Sequence, residues 1–393
     1  MRLRRAHCLA FALSLVPSPL FADGLDALAG KALFKRQWIP APSSTDASDG
    51  LGPLFNARSC AACHAGGGGA RVIAADDGTQ KMVGAVVRLG TASGATDPLY
   101  GLQLQTNAVP GLEPEAEIAF LPKLSVTLLG PPLAGGVAKS IRLAPSLYGS
   151  AELERVAESE IRSRADPGDK NGDGISGRVH NTPDGIGRYG WKAAQASLHG
   201  QIAHAFAIDI GLSSPLQPRS YGDCTGVQTA CRNSTNGESP LTDNREVSVA
   251  MLDLVAQYLT TLKSSPKPNA EAAEIFNKTG CASCHVPSLS TNDGALIPAF
   301  TDLLLHDMGS DLDDGVGEPG VASFEWRTAP LKKKFPQGAV RRYLHDGSAA
   351  TVSEAVAKHG GEAAASRAAF GKLSEADAAR LISYVNETER QKE

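Results

Sequence analysis

Two short segments of the chain repeat one arrangement of cysteine and histidine, in which two residues separate a pair of cysteines and a histidine follows directly. In c-type cytochromes such cysteines bond to the vinyl groups of a haem, and the histidine binds its iron. The sequence therefore predicts two covalently attached haem c groups, one on each of the sets Cys60, Cys63 and His64, and Cys281, Cys284 and His285.

Two other cysteine chemistries share part of this arrangement. A thioredoxin-type redox pair requires a βαβ context, which the glycine-rich run after His64 does not supply. Structural zinc requires four ligands that close on one metal, and a histidine next to its cysteine does not easily share a tetrahedral site. Haem attachment is the interpretation that both segments favour.

The third cysteine pair, Cys224 and Cys231, brackets a short loop rich in turn residues. In an oxidising compartment such a pair forms a disulfide, which stabilises a fold by restricting the unfolded chain. We predict a disulfide here, with a catalytic dithiol as the alternative.

The N-terminus has the features of a secretory signal peptide. Arg2, Arg4 and Arg5 precede an apolar stretch that contains the seventh cysteine, Cys8, and a small-residue cleavage site ends at Ala22. This stretch is shorter than the ~20 residues of a membrane-spanning helix. We predict that residues 1–22 are removed, that the protein is periplasmic, and that no transmembrane anchor remains after processing.

Composition limits the classes of partner. A length of 393 residues suggests about two domains. The formal net charge of −4, which becomes more negative when the signal peptide leaves, disfavours binding to nucleic acid or to anionic lipid. We therefore expect proteins or small molecules as partners.

The elements that must position these residues are helices at the ends of each half. Amphipathic periodicity predicts helices over 244–263 and 374–389, and a third helix leads into the second cysteine segment. The composition of residues 264–269 is typical of a linker. The sequence thus predicts a mainly α fold with two cytochrome c-like domains, 23–266 and 267–393, each with one covalent haem c and with long loops and insertions in the first.

Longer segments of the chain resemble the bacterial di-haem oxidoreductases. This family is peroxidase-like and thiol-oxidoreductase-like, and it is related to the di-haem cytochrome c peroxidases and to the maturase MauG. The resemblance covers nearly the whole chain after residue 22 and implies an active-site haem in the first domain and a six-coordinate electron-transfer haem in the second. The matching segments are 97–117, 169–181, 187–206, 302–309, 325–331 and 343–363.

The resemblance implies that His359 is the distal iron ligand of the second haem. This histidine ends the segment AVAKHG, at the position where the related peroxidases have a ligand methionine. Exchange of a thioether for an imidazole would lower the reduction potential of that haem. A surface histidine favoured by the helix dipole is the alternative. His306 is the second candidate ligand, and His345 is expected to hydrogen-bond to loop backbone.

The resemblance also implies a catalytic pair at the first haem. Related enzymes place a glutamine and a glutamate ten residues apart over the open face of the iron, and Gln105 and Glu115 have this separation. The carboxylate would take a proton from peroxide and return it to the departing oxygen, while the amide positions peroxide or water. The alternative is a solvated acidic loop, in which Glu113 is the residue most easily confused with Glu115.

One departure from the family concerns electron transfer between the haems. The related peroxidases carry a tryptophan between the haems, ten residues before the glutamine, and this chain has Ala95 there. Trp191, Trp326 and Tyr100 are candidates for another route, and each is equally compatible with a role in the core.

Residues 169–176 match the first half of a calcium-binding loop. Asp169, Asn171 and Asp173 provide oxygen atoms at the required spacing, and Ile175 provides a backbone carbonyl. The bidentate glutamate at the last position of such a loop is replaced by His180. A calcium ion is one prediction, to which the related enzymes add support, and a turn closed by its own side chains is the other.

Together these features predict a periplasmic di-haem oxidoreductase that is peroxidase-like. The first haem would react with hydrogen peroxide, and the second would relay electrons from a small cytochrome c, a cupredoxin or a protein substrate. Two alternatives remain open: a pure electron-transfer cytochrome, and a MauG-like maturase that oxidises a partner protein.

Overall fold

A computed structural model of the chain describes residues 19–45, 47–74, 79–120, 123–264, 269–331 and 340–386. Most of the predicted signal peptide, residues 1–22, and most of the predicted linker, 264–269, lie outside these ranges. Both therefore remain predictions. Within the described part of the chain, no helix is both long enough and apolar enough to cross a membrane.

The helices are mostly short, and side-chain caps fix where several of them begin. Ser248 Oγ accepts a hydrogen bond from the Met251 amide, and Asp377 N–H donates to Ser374 Oγ. These caps satisfy amide groups that have no partner within the helix. Across the described residues the helices are α1 Pro19–Lys35, α2 Cys60–Cys63, α3 Ser150–Leu153, α4 Glu158–Arg164, α5 Leu198–Ala205, α6 Thr229–Arg232, α7 Val249–Thr261, α8 Ala270–Lys278, α9 Val352–Ala357, α10 Ala364–Phe370 and α11 Glu375–Asn386.

The strands are also short and form seven small antiparallel sheets in the described ranges. The largest has three strands in the order β5-β4-β9, and the others are the pairs β1-β6, β2-β3, β7-β8, β10-β11, β12-β13 and β14-β15. The strands are β1 Leu54–Phe55, β2 Arg71–Ala74, β3 Gln80–Val83, β4 Ala85–Gly90, β5 Gln103–Leu104, β6 Asn107–Ala108, β7 Ala116–Phe120, β8 Leu124–Leu128, β9 Ala138–Leu143, β10 Asn181–Thr182, β11 Gly185–Ile186, β12 Ser288–Ser290, β13 Leu296–Pro298, β14 Leu305–Asp307 and β15 Glu325–Arg327.

The prediction of a mainly α fold built from two cytochrome c-like domains is wrong. The structure is 30% helical and 20% strand, and most of the strands lie between residues 71 and 143. This part of the chain has the alternation of a half-buried sheet: Val87 and Leu89 of β4 are fully buried, and Arg88 between them faces the other side. The sequence-based prediction assigned it to the long loops and insertions of the first domain.

The predicted helices that end each half are confirmed. The prediction over 244–263 corresponds to α7, which begins later because Ser248 caps it, and the prediction over 374–389 corresponds to α11. Helix α7 packs along α1 so closely that a Cβ atom at Gly30 would lie 1.8 Å from the Leu254 carbonyl oxygen. A glycine is therefore required where these two helices cross.

One large hydrophobic cluster occupies the centre of the molecule. It contains α1 residues such as Phe34, α7 residues such as Leu259, and residues beyond the predicted domain boundary, including Val286 and Leu303. Cys60 and Ala61 of the first cysteine segment pack against its edge. This shared core fixes the positions of the segments that carry the candidate site.

Candidate functional site

The first cysteine segment forms the single turn α2. Ser59 caps this turn by accepting a hydrogen bond from the Ala62 amide at 3.2 Å. Cys60 and Cys63 are half-buried free thiols, and burial, the largest cause, raises the pKa of each to about 12. His64 Nδ1 lies 3.2 Å from the Gly68 carbonyl oxygen, and burial lowers the pKa of this ring. The segment thus presents two unpaired thiols beside a neutral imidazole.

The second cysteine segment follows α8 directly. Gly280, with φ of 77°, ends the helix and turns the chain into the 3₁₀ turn of Cys281–Ser283. His285 Nδ1 lies 3.1 Å from the Phe300 carbonyl oxygen. Burial first, and then the nearby His359, lower the pKa of His285 to about 4.

His359 lies close to His285 and has the same hydrogen-bond geometry. It follows α9, and its Nδ1 lies 2.7 Å from the Ala355 carbonyl oxygen. Burial lowers the pKa of this ring as well. A hydrogen bond from Nδ1 to a backbone carbonyl fixes the tautomer that leaves Nε2 free to bind a metal. His64, His285 and His359 share this arrangement, so the described residues fit one axial histidine at the first site and two at the second.

His306, the second candidate ligand, has a different environment. Its Nε2 lies 2.8 Å from an Asp302 carboxylate oxygen, and its Nδ1 lies 2.6 Å from Glu362. Burial acts against the charge, but the hydrogen bonds to Asp302, Cys284 and Glu362 raise the pKa of His306 to about 12. Both ring nitrogens of this imidazolium are engaged, which favours His359 over His306 as the ligand.

His306 also belongs to the one group of three or more potential metal-binding side chains found among the described residues. The other members are Asp302 and Cys284, whose Sγ lies 3.9 Å from His306 Nδ1. Since Cys284 is a predicted haem-attachment residue, this group is part of the second cysteine segment.

Gln105 and Glu115 are brought together and buried, with 3% and 6% of their surfaces exposed. The backbone amide of Gln105 donates to Glu115 Oε2 at 2.8 Å, and the backbone amide of Glu115 donates to the Gln105 backbone carbonyl at 2.9 Å. Burial is the largest cause that raises the pKa of Glu115 to about 7. A carboxyl group with this pKa can both accept and donate a proton near neutrality. Glu113 and Glu117, by contrast, are exposed.

This pair lies on the same side of the molecule as the first cysteine segment. Gln105 Oε1 accepts a hydrogen bond from Asn56 Nδ2 at 2.5 Å, and the Asn56 amide donates to the Asp209 carbonyl at 2.9 Å. The negative charge of Asp209 also helps to raise the pKa values of the Cys60 and Cys63 thiols. Asp209 therefore connects the buried acid–amide pair with the thiols.

Cys224 and Cys231 form a disulfide bond in the structure, with their Cα atoms 6.2 Å apart. The loop that this bond closes carries Gln228, whose Nε2 donates to Glu115 Oε1 at 2.6 Å. Sequence reasoning missed Gln228. The sequence signal that could have identified Gln228 is its position, as a polar residue, near the middle of the loop that the Cys224–Cys231 disulfide closes.

Comparison with known protein families gives one match. Residues 133–388 match the family described as "Di-haem oxidoreductase, putative peroxidase". The chain belongs to this family. The resemblance inferred from the sequence is thereby confirmed. Searches of curated proteins and of solved structures each returned no match.

The matched range includes the second cysteine segment of this di-haem oxidoreductase together with His359, Trp191 and Trp326. The first cysteine segment, Gln105 and Glu115 precede the matched range. Their roles therefore depend on geometry and on the repeated cysteine–histidine arrangement.

In this di-haem oxidoreductase the loop over residues 169–176 is closed by its own side chains. Asp169 accepts hydrogen bonds from the Gly174 amide, Asn171 Oδ1 accepts from the Asp173 amide, and Asp173 Oδ1 accepts from the Ile175 amide. His180 turns away, with its ring nitrogens 2.9 and 3.2 Å from backbone carbonyl oxygens. The loop geometry is that of a turn, and calcium binding remains a prediction.

Two of the three candidate aromatic residues for an inter-haem route lie in one cluster. His345 stacks on Trp326 with ring centroids 3.7 Å apart, and its edge faces Trp191 at 6.3 Å. The ring of His345, which was expected to hydrogen-bond to loop backbone, therefore joins the two indoles. Tyr100 lies elsewhere and donates its hydroxyl to the Pro131 carbonyl at 2.7 Å.

Two buried cations accompany this cluster, and sequence reasoning missed both. Lys192 Nζ lies 3.8 Å from the Trp326 ring centroid, and Arg142 Cζ lies 4.4 Å from it. Lys192 is completely buried, although lysine is almost never buried without partners. The sequence signal that could have identified Lys192 is its position directly after Trp191.

Proposed function

We propose that this di-haem oxidoreductase is a periplasmic peroxidase that carries one haem c on each cysteine segment. The observation that carries the proposal is the difference between the two sites. Both segments present a half-buried histidine whose Nδ1 lies against a backbone carbonyl, and among the described residues only the second has another such histidine, His359, nearby. A buried acid–amide pair, Glu115 and Gln105, lies on the side of the first.

Each cysteine segment supplies the groups that hold a c-type haem. Cys60 and Cys63 would attach the first haem and Cys281 and Cys284 the second, with His64 or His285 on the proximal side. When bound, the haem supplies the redox chemistry that reduces peroxide and transfers electrons. The carbonyl groups that hold Nδ1 of each histidine orient the ring before the iron arrives.

At the first site, side chains of this protein transfer the protons of the reaction. The Glu115 carboxylate takes a proton from hydrogen peroxide at Oε2 and returns it to the departing oxygen. Hydrogen bonds from the Gln105 amide and from Gln228 hold the carboxylate in place. The side-chain amide of Gln105, which in the structure donates to the Ile208 carbonyl oxygen and accepts from Asn56, would exchange one of these bonds to position peroxide or water. Burial raises the pKa of Glu115 to about 7, so both protonation states are accessible near neutral pH.

At the second site both His285 and His359 would bind the haem iron, which would suit electron transfer because a substrate would find no ligand position there. Histidine in place of a thioether ligand lowers the potential of this haem. His306, held as a cation between Asp302 and Glu362, lies beside the Cys284 sulfur and completes the polar surroundings of the attachment. Electrons would come from a small cytochrome c, a cupredoxin or a protein substrate.

The alternative with a specific observation behind it is a pure electron-transfer cytochrome. Glu115 is fully hydrogen-bonded in the structure, as a structural carboxylate would be. The link from Gln105 through Asn56 to Asp209, beside the first cysteine segment, favours the peroxidase, because it places the acid–amide pair toward one site only.

The test is peroxide-dependent oxidation of a reduced small cytochrome c by purified, haem-loaded protein. We expect turnover that depends on both peroxide and the enzyme, with two haems per chain in the pyridine haemochrome assay. A protein with two haems that neither consumes peroxide nor changes its absorption spectrum on peroxide addition would be an electron carrier, and the peroxidase proposal would fail.

A further inference from the structure

We propose that Trp326, His345 and Trp191 form the electron route between the two haem segments, with Trp326 kept in its reduced form by Lys192 and Arg142. This inference rests on the proposed di-haem function. It goes beyond it by assigning a path, and a protective role for two cations, to residues that hold neither haem.

The route begins at the second cysteine segment. Trp326 of β15 pairs directly with His306 of β14 in the antiparallel register. Residues opposite each other in such a pair project from the same face of the sheet. His306 in turn lies 3.9 Å from the Cys284 sulfur. Trp326 is thus one side chain removed from a thiol predicted to carry the second haem.

The route ends beside the first cysteine segment. Trp191 Nε1 donates to the Leu143 carbonyl at 2.8 Å, and the next residues, Ala144 and Pro145, run alongside Cys63 and His64. A Cβ atom at Gly84 would lie 3.1 Å from the Cys63 carbonyl oxygen and 3.3 Å from Ala144 Cβ. The Leu143 strand end therefore packs against the chain that carries the first haem.

The middle of the route is continuous. His345 stacks on Trp326 at 3.7 Å, with an interplanar angle of 15°, and approaches Trp191 edge to face at 6.3 Å. The Arg327 amide donates to the Trp191 carbonyl at 2.9 Å, which ties the backbones of the two tryptophan segments together. The ring of His345 therefore lies between the two indoles.

The charges around Trp326 oppose its oxidation. Lys192 Nζ donates to the carbonyl oxygens of Ala322, Ser323 and Glu325 at 3.0, 2.9 and 2.7 Å. Three acceptors require three protons, so this geometry describes the charged ammonium, even though burial lowers the pKa of Lys192 to about 7. Loss of an electron from the indole would create a positive charge 3.8 Å from this cation.

Two further features act in the same direction. Trp326 Nε1 donates to the Leu312 carbonyl oxygen at 2.9 Å, and a backbone carbonyl is not a base that could remove the indole proton. The Asp314 carboxylate balances part of the positive charge of Lys192 and Arg142. It lies 3.5 Å from Arg142 and 3.4 Å from His345 Nε2. Burial, together with Arg142 and Lys192, lowers the pKa of His345 well below its usual value, so this ring stays neutral.

The consequence is a bridge that transmits electrons without holding a radical. Reduction of one hydrogen peroxide to two waters consumes two electrons and two protons, and the proposed donor protein supplies the electrons. Each electron passes from the second haem segment to the first through the three rings. No bond forms or breaks in the relay, and Trp326 returns to the same state after each transfer.

The route is tested by the rate of electron transfer between the haems after pulse-radiolytic reduction, followed by absorbance without any peroxide. We expect Trp326→Phe and Trp191→Phe to slow this relaxation by about tenfold, equivalent to ~1.4 kcal/mol in the barrier. Trp38→Phe, which changes the only other tryptophan, controls for the loss of a buried indole. Rates equal to wild type in both Trp326→Phe and Trp191→Phe would overturn the route.

The role of the cations is tested by peptide mass spectrometry after exposure of the haem-loaded protein to peroxide. We expect Lys192→Met to increase oxidation products at Trp326 by about tenfold or more, since a desolvated cation over an indole face is worth at least that factor. Arg36→Met is the matched control, because Arg36 lies over Trp38 at 5.3 Å. Unchanged oxidation of Trp326 in Lys192→Met would overturn the protective role.

Failure of this inference can be told apart from failure of the proposed function. If the wild-type haem spectrum does not respond to peroxide, the peroxidase proposal fails, while the pulse-radiolysis rates still test the route. If the spectrum responds and the variants behave as wild type, the route and the cations are wrong and the peroxidase remains.

Discussion

Replacement of Glu115 by glutamine tests the proton chemistry at its centre. The wild-type carboxyl group is buried, accepts hydrogen bonds from the Gln105 amide and from Gln228, and has a pKa raised to about 7, mainly by burial. Glu115→Gln keeps the shape of the side chain but removes its ability to take a proton. One of its two terminal atoms becomes an NH₂ group, which cannot accept either hydrogen bond.

The effect on stability has a defined sign and size. The pKa of Glu115 is about 7 in the fold and 4.5 in its ordinary state. Since each pKa unit corresponds to ~1.4 kcal/mol, ionisation of the buried carboxyl group costs roughly 3 kcal/mol. The folded state holds the proton more tightly, so the free energy of unfolding should fall as the pH rises from about 4.5 to about 7. The variant, which cannot ionise there, should lack this fall.

The effect on activity follows from the same group. A general base must be deprotonated, so the wild-type rate of peroxide consumption should rise as the pH rises through about 7. Glu115→Gln should reduce the rate by roughly 10²–10⁴-fold, and the remaining rate should not show this rise. Urea unfolding at several pH values and stopped-flow peroxide consumption measure the two effects. Haem absorption spectra should be unchanged.

Glu117→Gln is the matched control, because Glu117 lies two residues away, in strand β7, and is exposed. It should change neither the pH dependence of stability nor the rate. Glu113→Gln provides a second control for the neighbouring acid that the sequence left as an alternative. If Glu115→Gln retains the wild-type rate and pH profile, or if either control removes them, Glu115 is not the proton-transfer group.

The remaining predictions concern the attachment sites and one buried ion pair. Cys60→Ala combined with Cys63→Ala should halve the haem stain per chain on a denaturing gel and abolish the response to peroxide. His359→Gly should convert one low-spin haem to high spin in the absorption spectrum, and an unchanged spectrum would place the ligand elsewhere. Glu362→Gln should lower the free energy of unfolding by about 3 kcal/mol in urea titrations, because it leaves the buried His306 cation without one of its carboxylates.

Each of these predictions has its control in the chain. Cys281→Ala with Cys284→Ala should also halve the haem stain, and retention of peroxide chemistry when only the first pair is removed would reverse the roles of the two sites. His199→Gly removes a histidine that bonds to Asp253 at the surface and should leave both haem spectra unchanged. Glu375→Gln removes an exposed carboxylate and should leave stability within a few tenths of a kcal/mol.

The sequence allowed the family and the helices at the ends of each half to be predicted, because each depends on local information, and the attachment residues remain a prediction. A cysteine–histidine arrangement is contiguous, and a helix such as α11 follows from the spacing of its apolar residues and from the cap at Ser374. The prediction that Gln105 and Glu115 act together remains untested, although the structure places them in contact.

The fold class could not be predicted in the same way. Strands β4 and β9 pair across about fifty intervening residues, Arg88 with Ser140 for example, and nothing local specifies that partner. The cluster of side chains around Trp326 could not be predicted from the sequence either. It joins Arg142, Lys192 and His345 from three distant parts of the chain, and only the tertiary structure shows that the two candidate tryptophans meet through a histidine.

Electron paramagnetic resonance of the ferric, haem-loaded protein, recorded before and after peroxide addition, tests the account most directly. We expect one high-spin signal from the site of His64 and one low-spin signal from the site of His285 and His359, with only the high-spin signal lost on peroxide addition. Two low-spin signals that do not respond to peroxide would contradict the proposed division of labour between the two sites.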